Sequence, residues 1–405
     1  MKRVVITGIG AITPVGNDIN TMWESMKNGV CGIDIISKFD PSLTKAKVAA
    51  EVKDFDPTKY IEKREVRKMD LYCQYALAAA VQAVEDSKIV GNIDETRFGV
   101  YVGSGTGGIQ TFYEQCNNMF NGKNISPFFI PMMIGNIAAG NIAIRFHAKG
   151  PCLPVVTACA TSTHAVGEAF HAIKAGYADA IIAGGAEATI NPLAITGFTS
   201  CKALTLSEDP KCASIPFDKR RNGFVMGEGA GILVLEEYEH AKARGAKIYA
   251  EIAGYGNTCD AYHVTAPDPE ATGAANAVKL ALDEAGYTGN EELYINAHGT
   301  STSMNDSSET KAFKIALGDK AYKAHISSTK SMTGHMLGAT GAVEAIAATL
   351  ALDTGIIPPT IGYEVPDPEC DLDYTVNKAV ESPVTMAIST TFGFGGHNAC
   401  IALKK

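Results

Sequence analysis

The chain has 405 residues, 46% hydrophobic and 20% charged, with a formal net charge of -9. That is enough apolar sequence for a large core, in two domains or one duplicated domain, and it excludes a disordered chain. The acidic balance argues against general nucleic-acid binding while leaving room for a local basic patch, and no run reaches the roughly 18 apolar residues of a membrane span.

The opening "MKRVVITGIGAITPVG" has two early basic residues but no sustained apolar stretch, so it reads as a buried strand and a glycine turn rather than a signal peptide. Residues 69–87, "MDLYCQYALAAAVQAVEDS", repeat apolar side chains at helical spacing. "RFGVYVGSGTGG" is a strand running into glycines, and "PCLPVVTACA" is a strand leading to Cys159. In the helix that follows, Ala165, Val166, Ala169, Phe170 and Ile173 share one face, and "ADAIIAGGAE" is the next buried strand. Strand and helix alternate, which indicates an α/β fold.

The sequence hints at duplication. Residues 158–176 and 334–355 both place a Cys or His at the mouth of an Ala-rich helix that ends near a glycine, and "KIYAEIAGYGNTCDAYHVTAP" opens a second half as residues 3–16 open the first. This divides the chain into an N-terminal half, residues 1–250, and a C-terminal half, residues 251–405.

The ten cysteines are scattered, with no CxxC pair and no Cys/His cluster of zinc spacing, so no metal site is expected and reduced thiols in the cytoplasm are. "VGSGTGG" has dinucleotide-loop spacing at Gly103, Gly105 and Gly108, but residues 116–158 contain no Asp or Glu to hold a ribose, and no phosphate-binding P-loop exists.

Cys159 falls where a strand hands over to a helix. It is either a buried, inert thiol or a nucleophile whose thiolate the helix end favours. His298, in "NAHGTSTSMND", ends a strand, with the hydroxyls of Thr300 and Thr302 beside it; the alternative is a Ser/Thr-capped turn. "SSTKSMTGHMLGATGAVEA" holds Lys330 and His335. A histidine at a helix start is kept neutral and can donate a hydrogen bond to a carbonyl, and Glu344 is placed to pair with Lys330; the alternative is a surface lysine and a capping histidine. "TTFGFGGHNACIAL" is a glycine-rich turn before a strand, either a plain hairpin or a loop that aims N–H groups at a ligand.

One cysteine and two histidines at element ends are the parts of a thiolate enzyme for carbonyl chemistry. In this order "VVTACAT", "NAHGTST", "SSTKSMTGH" and "FGFGGHNA" resemble the signature set of the β-ketoacyl-acyl-carrier-protein synthases of the type II kind, in the thiolase-like condensing enzymes. The resemblance runs essentially end to end. It implies a five-layer αβαβα fold of two duplicated halves, a homodimer, and a decarboxylative Claisen condensation that extends an acyl chain by two carbons in fatty acid biosynthesis. It implies Cys159 as the nucleophile, His298 and His335 as donors to the malonyl thioester oxygen, and Lys330 with Glu344 as a charged pair orienting His335. The resemblance also implies that the N–H groups of Cys159 and Phe394 form a second oxyanion hole and that Phe394 gates the site. The substrate-binding residues it implies are Thr300 and Thr302 for the phosphopantetheine arm, with Phe392, Phe198 and Thr106 around the acyl chain. No resident cofactor is implied, because phosphopantetheine arrives on the acyl carrier protein. That acidic partner would dock on Arg64, Arg67, Lys68, Lys123 and Lys202. Two positions depart from the family pattern: Thr106 replaces an aliphatic residue and Ser303 a proline.

A free-standing polyketide ketosynthase shares this chemistry. A thiolase would need a second catalytic cysteine, and Cys400 lies in the final strand, beyond the glycine loop. A non-catalytic partner subunit would lack the nucleophile, which is present.

Overall fold

In the computed structural model, which describes residues 2–405, the opening apolar run forms β1 (Val4–Ile12), buried along its whole length. Helix α1 (Leu71–Ser87) starts where Asp70 caps it, Oδ1 accepting the Tyr72 N–H at 3.1 Å. It lies directly on β1: a Cβ at Gly10 would fall 2.1 Å from the Ala79 carbonyl oxygen, so only glycine allows that approach. The main sheet continues with β2 (Phe98–Gly103), β3 (Ala180–Glu187), β4 (Gly229–Glu237), β5 (Ala250–Cys259), β6 (Leu293–Asn296), β7 (His325–Ser327), β8 (Met386–Gly393) and β9 (His397–Lys404).

Their order across the sheet is β2-β3-β4-β1-β5-β9-β8-β6-β7. Within the main sheet the two halves pair through Val4–Ile6 of β1 and Ala250–Ile252 of β5. From that seam outward each half repeats one pattern. β1 pairs antiparallel with β4, β4 antiparallel with β3, and β3 parallel with β2. β5 likewise pairs antiparallel with β9, β9 antiparallel with β8, and β8 parallel with β6. Helices α2 (Ile137–Phe146) and α1 cover the outside of the first half. Helices α4 (Thr272–Ala285) and α5 (Ser303–Leu317) cover the second. Between the halves lie α3 (Thr161–Lys174) and α6 (Thr340–Thr354), each packed on strands of both. The result is five layers, with one apolar core around the central helices and one under each outer layer.

The two look-alike segments are structural counterparts. Ala158–Ala160 and Leu337–Ala339 are both single 3₁₀ turns running straight into α3 and α6. The first residue of each has positive φ, 51° at Ala158 and 44° at Leu337, which is costly for non-glycine residues.

"PCLPVVTACA" differs from the expected strand. It runs beside β2, with the Val100 N–H on the Pro151 carbonyl at 2.9 Å and the Leu153 N–H on the Val100 carbonyl at 3.0 Å, but only one bridge forms, at Cys152. Pro151 and Pro154 have no N–H to extend the ladder. The "FGFGG" loop is the turn of the β8–β9 hairpin, whose last pair is Gly393 with His397.

Candidate active site

Cys159 sits in the 3₁₀ turn before α3 and is buried. Its N–H and that of Phe394, in the β8–β9 turn, act on the sulfur and lower the thiol pKa, as does Lys330. Burial outweighs them and pushes the thiol up to about 12, so the resting group is a protonated thiol rather than the thiolate expected from the helix end alone.

His298 lies two residues beyond β6 and His335 two residues before the second 3₁₀ turn. Both are buried, and their rings meet nearly edge to face, 5.2 Å apart at 86°. Burial first, and Lys330 next, hold both imidazoles neutral, with pKa values well below 6.5. Phe224 stands 5.0 Å from His335 and Phe392 stands 5.8 Å from His298.

Lys330 and Glu344 pair at 2.5 Å with both side chains buried. Burial raises the Glu344 carboxyl to about 8, outweighing the lysine charge that pulls it down. The pair does not contact His335 as expected. Lys330 Nζ donates instead to the carbonyl of His298 at 2.5 Å, while His335 is fixed by its N–H on the Val225 carbonyl at 2.7 Å and by Nδ1 against Thr340 Oγ1 at 3.0 Å. The reason is topological. Lys330 begins the short helix Lys330–Thr333 directly after β7, so it sits beside the β6 end and not beside the turn carrying His335.

A cavity of about 190 Å³ brings Cys159, His298, His335, Thr300, Thr302, Phe392, Phe394 and Lys202 to one surface. The Thr300 and Thr302 hydroxyls are 3.0 Å apart. Phe198 is not on that surface; it packs in the apolar cluster around Cys159, with its ring 6.4 Å from that of Phe394. Thr106 is also absent from the wall. Its hydroxyl donates to Glu187 Oε1 at 2.5 Å, and Glu187 holds the 104–107 loop against Gly338, whose N–H it accepts at 2.9 Å. Arg64, Arg67, Lys68 and Lys123 are exposed away from the cavity. Arg64 and Lys68 pair with Glu62 and Glu65.

Sequence reading missed Glu309. This buried carboxyl on α5 accepts the N–H groups of His298 and Gly299, both at 2.7 Å, and the Thr390 hydroxyl at 2.9 Å; burial raises it to about 7. The available signal was an acid on the helix that follows the His298 loop. Asn398, which lines the cavity and donates to Asp260 Oδ1 at 2.6 Å, had no such signal.

Comparison with known proteins gives the family and the fold. Residues 1–241 match the N-terminal domain model of beta-ketoacyl synthases and residues 249–364 the C-terminal domain model. The chain is 50% identical to the 3-oxoacyl-[acyl-carrier-protein] synthase 2 of Synechocystis sp. and 49% identical to that of Staphylococcus aureus strain N315, each over 100% of this chain and 98% of the relative. Among solved structures, a beta-ketoacyl synthase from Burkholderia phymatum superposes with a TM-score of 0.92 at 34% identity, covering 100% of both chains. A type II polyketide ketosynthase, solved with its acyl-carrier protein, superposes with a TM-score of 0.91 at 35% identity, covering 100% of this chain and 99% of that one. The chain belongs to the beta-ketoacyl synthase family.

Proposed function

We infer that the enzyme is a β-ketoacyl-[acyl-carrier-protein] synthase of type II fatty acid biosynthesis. The observation that carries this reading is the meeting of Cys159, two neutral histidines and the Phe394 N–H in one cavity. Cys159 attacks the thioester of an acyl carrier protein, forming an acyl–sulfur bond; the thiol proton ends on the departing pantetheine sulfur. The carbonyl oxygen, negative in the tetrahedral intermediate, takes hydrogen bonds from the N–H groups of Cys159 and Phe394. The malonyl thioester then loses carbon dioxide, and its enolate oxygen is met by the two histidines. The Thr340 hydroxyl lies 3.0 Å from His335 Nδ1, and the reaction uses the tautomer in which that hydroxyl donates and Nε2 keeps its hydrogen. Each such donor is worth roughly 3 kcal/mol in comparable sites. The carbanion attacks the acyl carbonyl carbon, Cys159 leaves, and a β-ketoacyl chain two carbons longer remains on the carrier.

Lys330 and Glu309 grip the backbone of His298 from its carbonyl and its N–H, so their role is to orient that donor. Thr300 and Thr302 receive the amides of the phosphopantetheine arm, and Phe392 and Phe394 flank the reacting thioester. Phe198 borders the acyl chain. Thr106 acts at that pocket through Glu187, which secures the adjoining loop. The chemistry needs no resident cofactor. Arg64, Arg67, Lys68, Lys123 and Lys202 form the docking patch for the acidic carrier. Their exposed partners Glu62 and Glu65 are exchangeable for carrier carboxylates, because such surface pairs contribute little on their own.

The enzyme acts in the cytoplasm as a homodimer. Ten unpaired cysteines support the compartment. The outer edge of residues 151–157, with Leu153 and Val156 exposed, supports the assembly. A polyketide ketosynthase is the second reading, favoured by the likeness to the polyketide ketosynthase structure.

The test is intact-mass analysis after incubation with an acyl-carrier protein. The wild type is expected to gain one acyl group and Cys159→Ala none; equal acylation of the variant overturns the assignment. Added malonyl-carrier protein must then yield a β-ketoacyl product. With the partner reductases and dehydratase present, a saturated chain marks the fatty-acid pathway, and an unreduced polyketone the polyketide one.

A further inference from the structure

The loop carrying Thr300 and Thr302 is held in a way that local preferences do not favour. Ser301 between them has φ of 66°, a left-handed conformation costly for a non-glycine residue. Its Oγ accepts the Ile215 N–H at 3.0 Å and its carbonyl accepts the Gly223 N–H at 3.0 Å, so both of its neighbours' directions are set from outside the loop. Just beyond, Arg221 donates from Nε to the Thr302 carbonyl at 3.2 Å and from Nη2 to the Ser303 carbonyl at 3.1 Å. Its remaining nitrogen donates to the Asp218 carbonyl at 3.0 Å and to Asp367.

This arginine is only 6% exposed, and Thr302 is the N-cap of α5. A buried guanidinium therefore stands at the positive end of a 15-residue helix, where the dipole opposes it. Asp306, 3.7 Å away and fully buried, and Asp367 offset the charge. Such an arrangement is a costly means of packing, since apolar residues would fill the space with less desolvation. What the guanidinium supplies that an apolar residue or a lysine cannot is a rigid fork on two successive carbonyls. Those carbonyls belong to Thr302 and Ser303, in the stretch whose two threonines line the cavity. None of its bonds reaches Cys159, His298 or His335.

We propose that Arg221 is a positioning residue for the pantetheine arm: by clamping the Thr302 and Ser303 carbonyls it fixes the spacing of the Thr300 and Thr302 hydroxyls that receive the arm. This rests on the reading of those two threonines given above. Losing the clamp weakens capture of the arm and leaves the thiol chemistry intact.

The full-length enzyme is assayed for acylation of Cys159 with two donors, hexanoyl-pantetheine, which has the arm, and p-nitrophenyl hexanoate, which lacks it. Arg221→Lys is expected to raise KM for hexanoyl-pantetheine roughly tenfold, the worth of a charge-assisted hydrogen bond, with kcat changed less than about twofold and p-nitrophenyl hexanoate used as before. Thr302→Ala gives the same selective rise, and the double variant adds nothing further. Asp367→Asn, which loosens the guanidinium without removing it, gives a smaller shift of the same kind, and it decides the matter if Arg221→Lys does not fold. Equal slowing with both donors, or no change with either, overturns the proposal. If Arg221→Lys lacks the selective rise while Thr302→Ala shows it, only the role of Arg221 falls. If Thr302→Ala lacks it too, the pantetheine reading falls and takes the proposal with it.

Discussion

Histidine shows how far a single residue's behaviour depends on its surroundings in this enzyme. His298, His335 and His164 are buried and depressed, His164 to about 4, whereas Asp373 and Glu292 raise the half-buried His325. An imidazole that must donate to an enolate oxygen has to stay neutral, and burial beside Lys330 ensures that. In ring-nitrogen NMR at pH 5.5, His164, His298 and His335 are expected in the neutral form and His325 in the charged form; protonation of His298 or His335 above pH 6 would contradict this. The sign for stability follows from linkage. His325 has a folded pKa above its unfolded value near 6.5, so its contribution is complete below that pH and fades as pH rises through the folded value. His325→Gln should therefore lower stability in denaturant titrations at pH 6 and cost little at pH 9.

Among the elements, the contact between α3 and α6 sets the geometry of the site. The two helices carry the turns that hold Cys159 and follow His335, and the Ala342 N–H donates to Ser162 Oγ at 2.9 Å across their interface. A Cβ on Gly341 would lie 1.9 Å from Thr163 Oγ1 and 2.9 Å from the Thr163 nitrogen, so the helices approach only because that position is glycine. Gly341→Ala is expected to cost roughly 1–3 kcal/mol, the usual range for overpacking, and to slow condensation by moving the turns apart. Thr163→Ala in the same background should restore part of the loss, since it removes the nearest clashing atom; thermal unfolding measures both effects. The Ala-rich periodicity of these helices was readable in the sequence, as was their likeness to each other. Their pairing across Gly341 was not, because it joins residues far apart in the chain, as Ser162 and Ala342 are at 180 positions.

For the whole molecule, the incomplete edge beside β2 is the feature with the largest consequence. Pro151 and Leu153 bond to Val100 of β2 on one side, while Leu153 and Val156 remain 52% and 57% exposed. An apolar edge of this kind is covered by a second chain or becomes an aggregation site. Light scattering should give twice the chain mass for the wild type, and Val156→Asp should shift it toward the monomer; a monomeric wild type would refute the dimer.

Alternation of apolar runs and glycine turns determined the α/β class by itself, because strand and helix periods are local properties of a chain. The placement of His298 at a strand end, and of Cys159 and His335 just before Ala-rich helices, was equally legible, since each lies beside such a run. Tertiary structure decided the rest. It turned Lys330 toward the His298 carbonyl rather than His335, and gave the Thr106 hydroxyl to Glu187. It also kept the Cys159 thiol protonated at rest, where helix placement suggested a thiolate. Each outcome depends on burial or on a partner far along the chain, and neither desolvation nor long-range contact is encoded in the spacing of neighbouring residues.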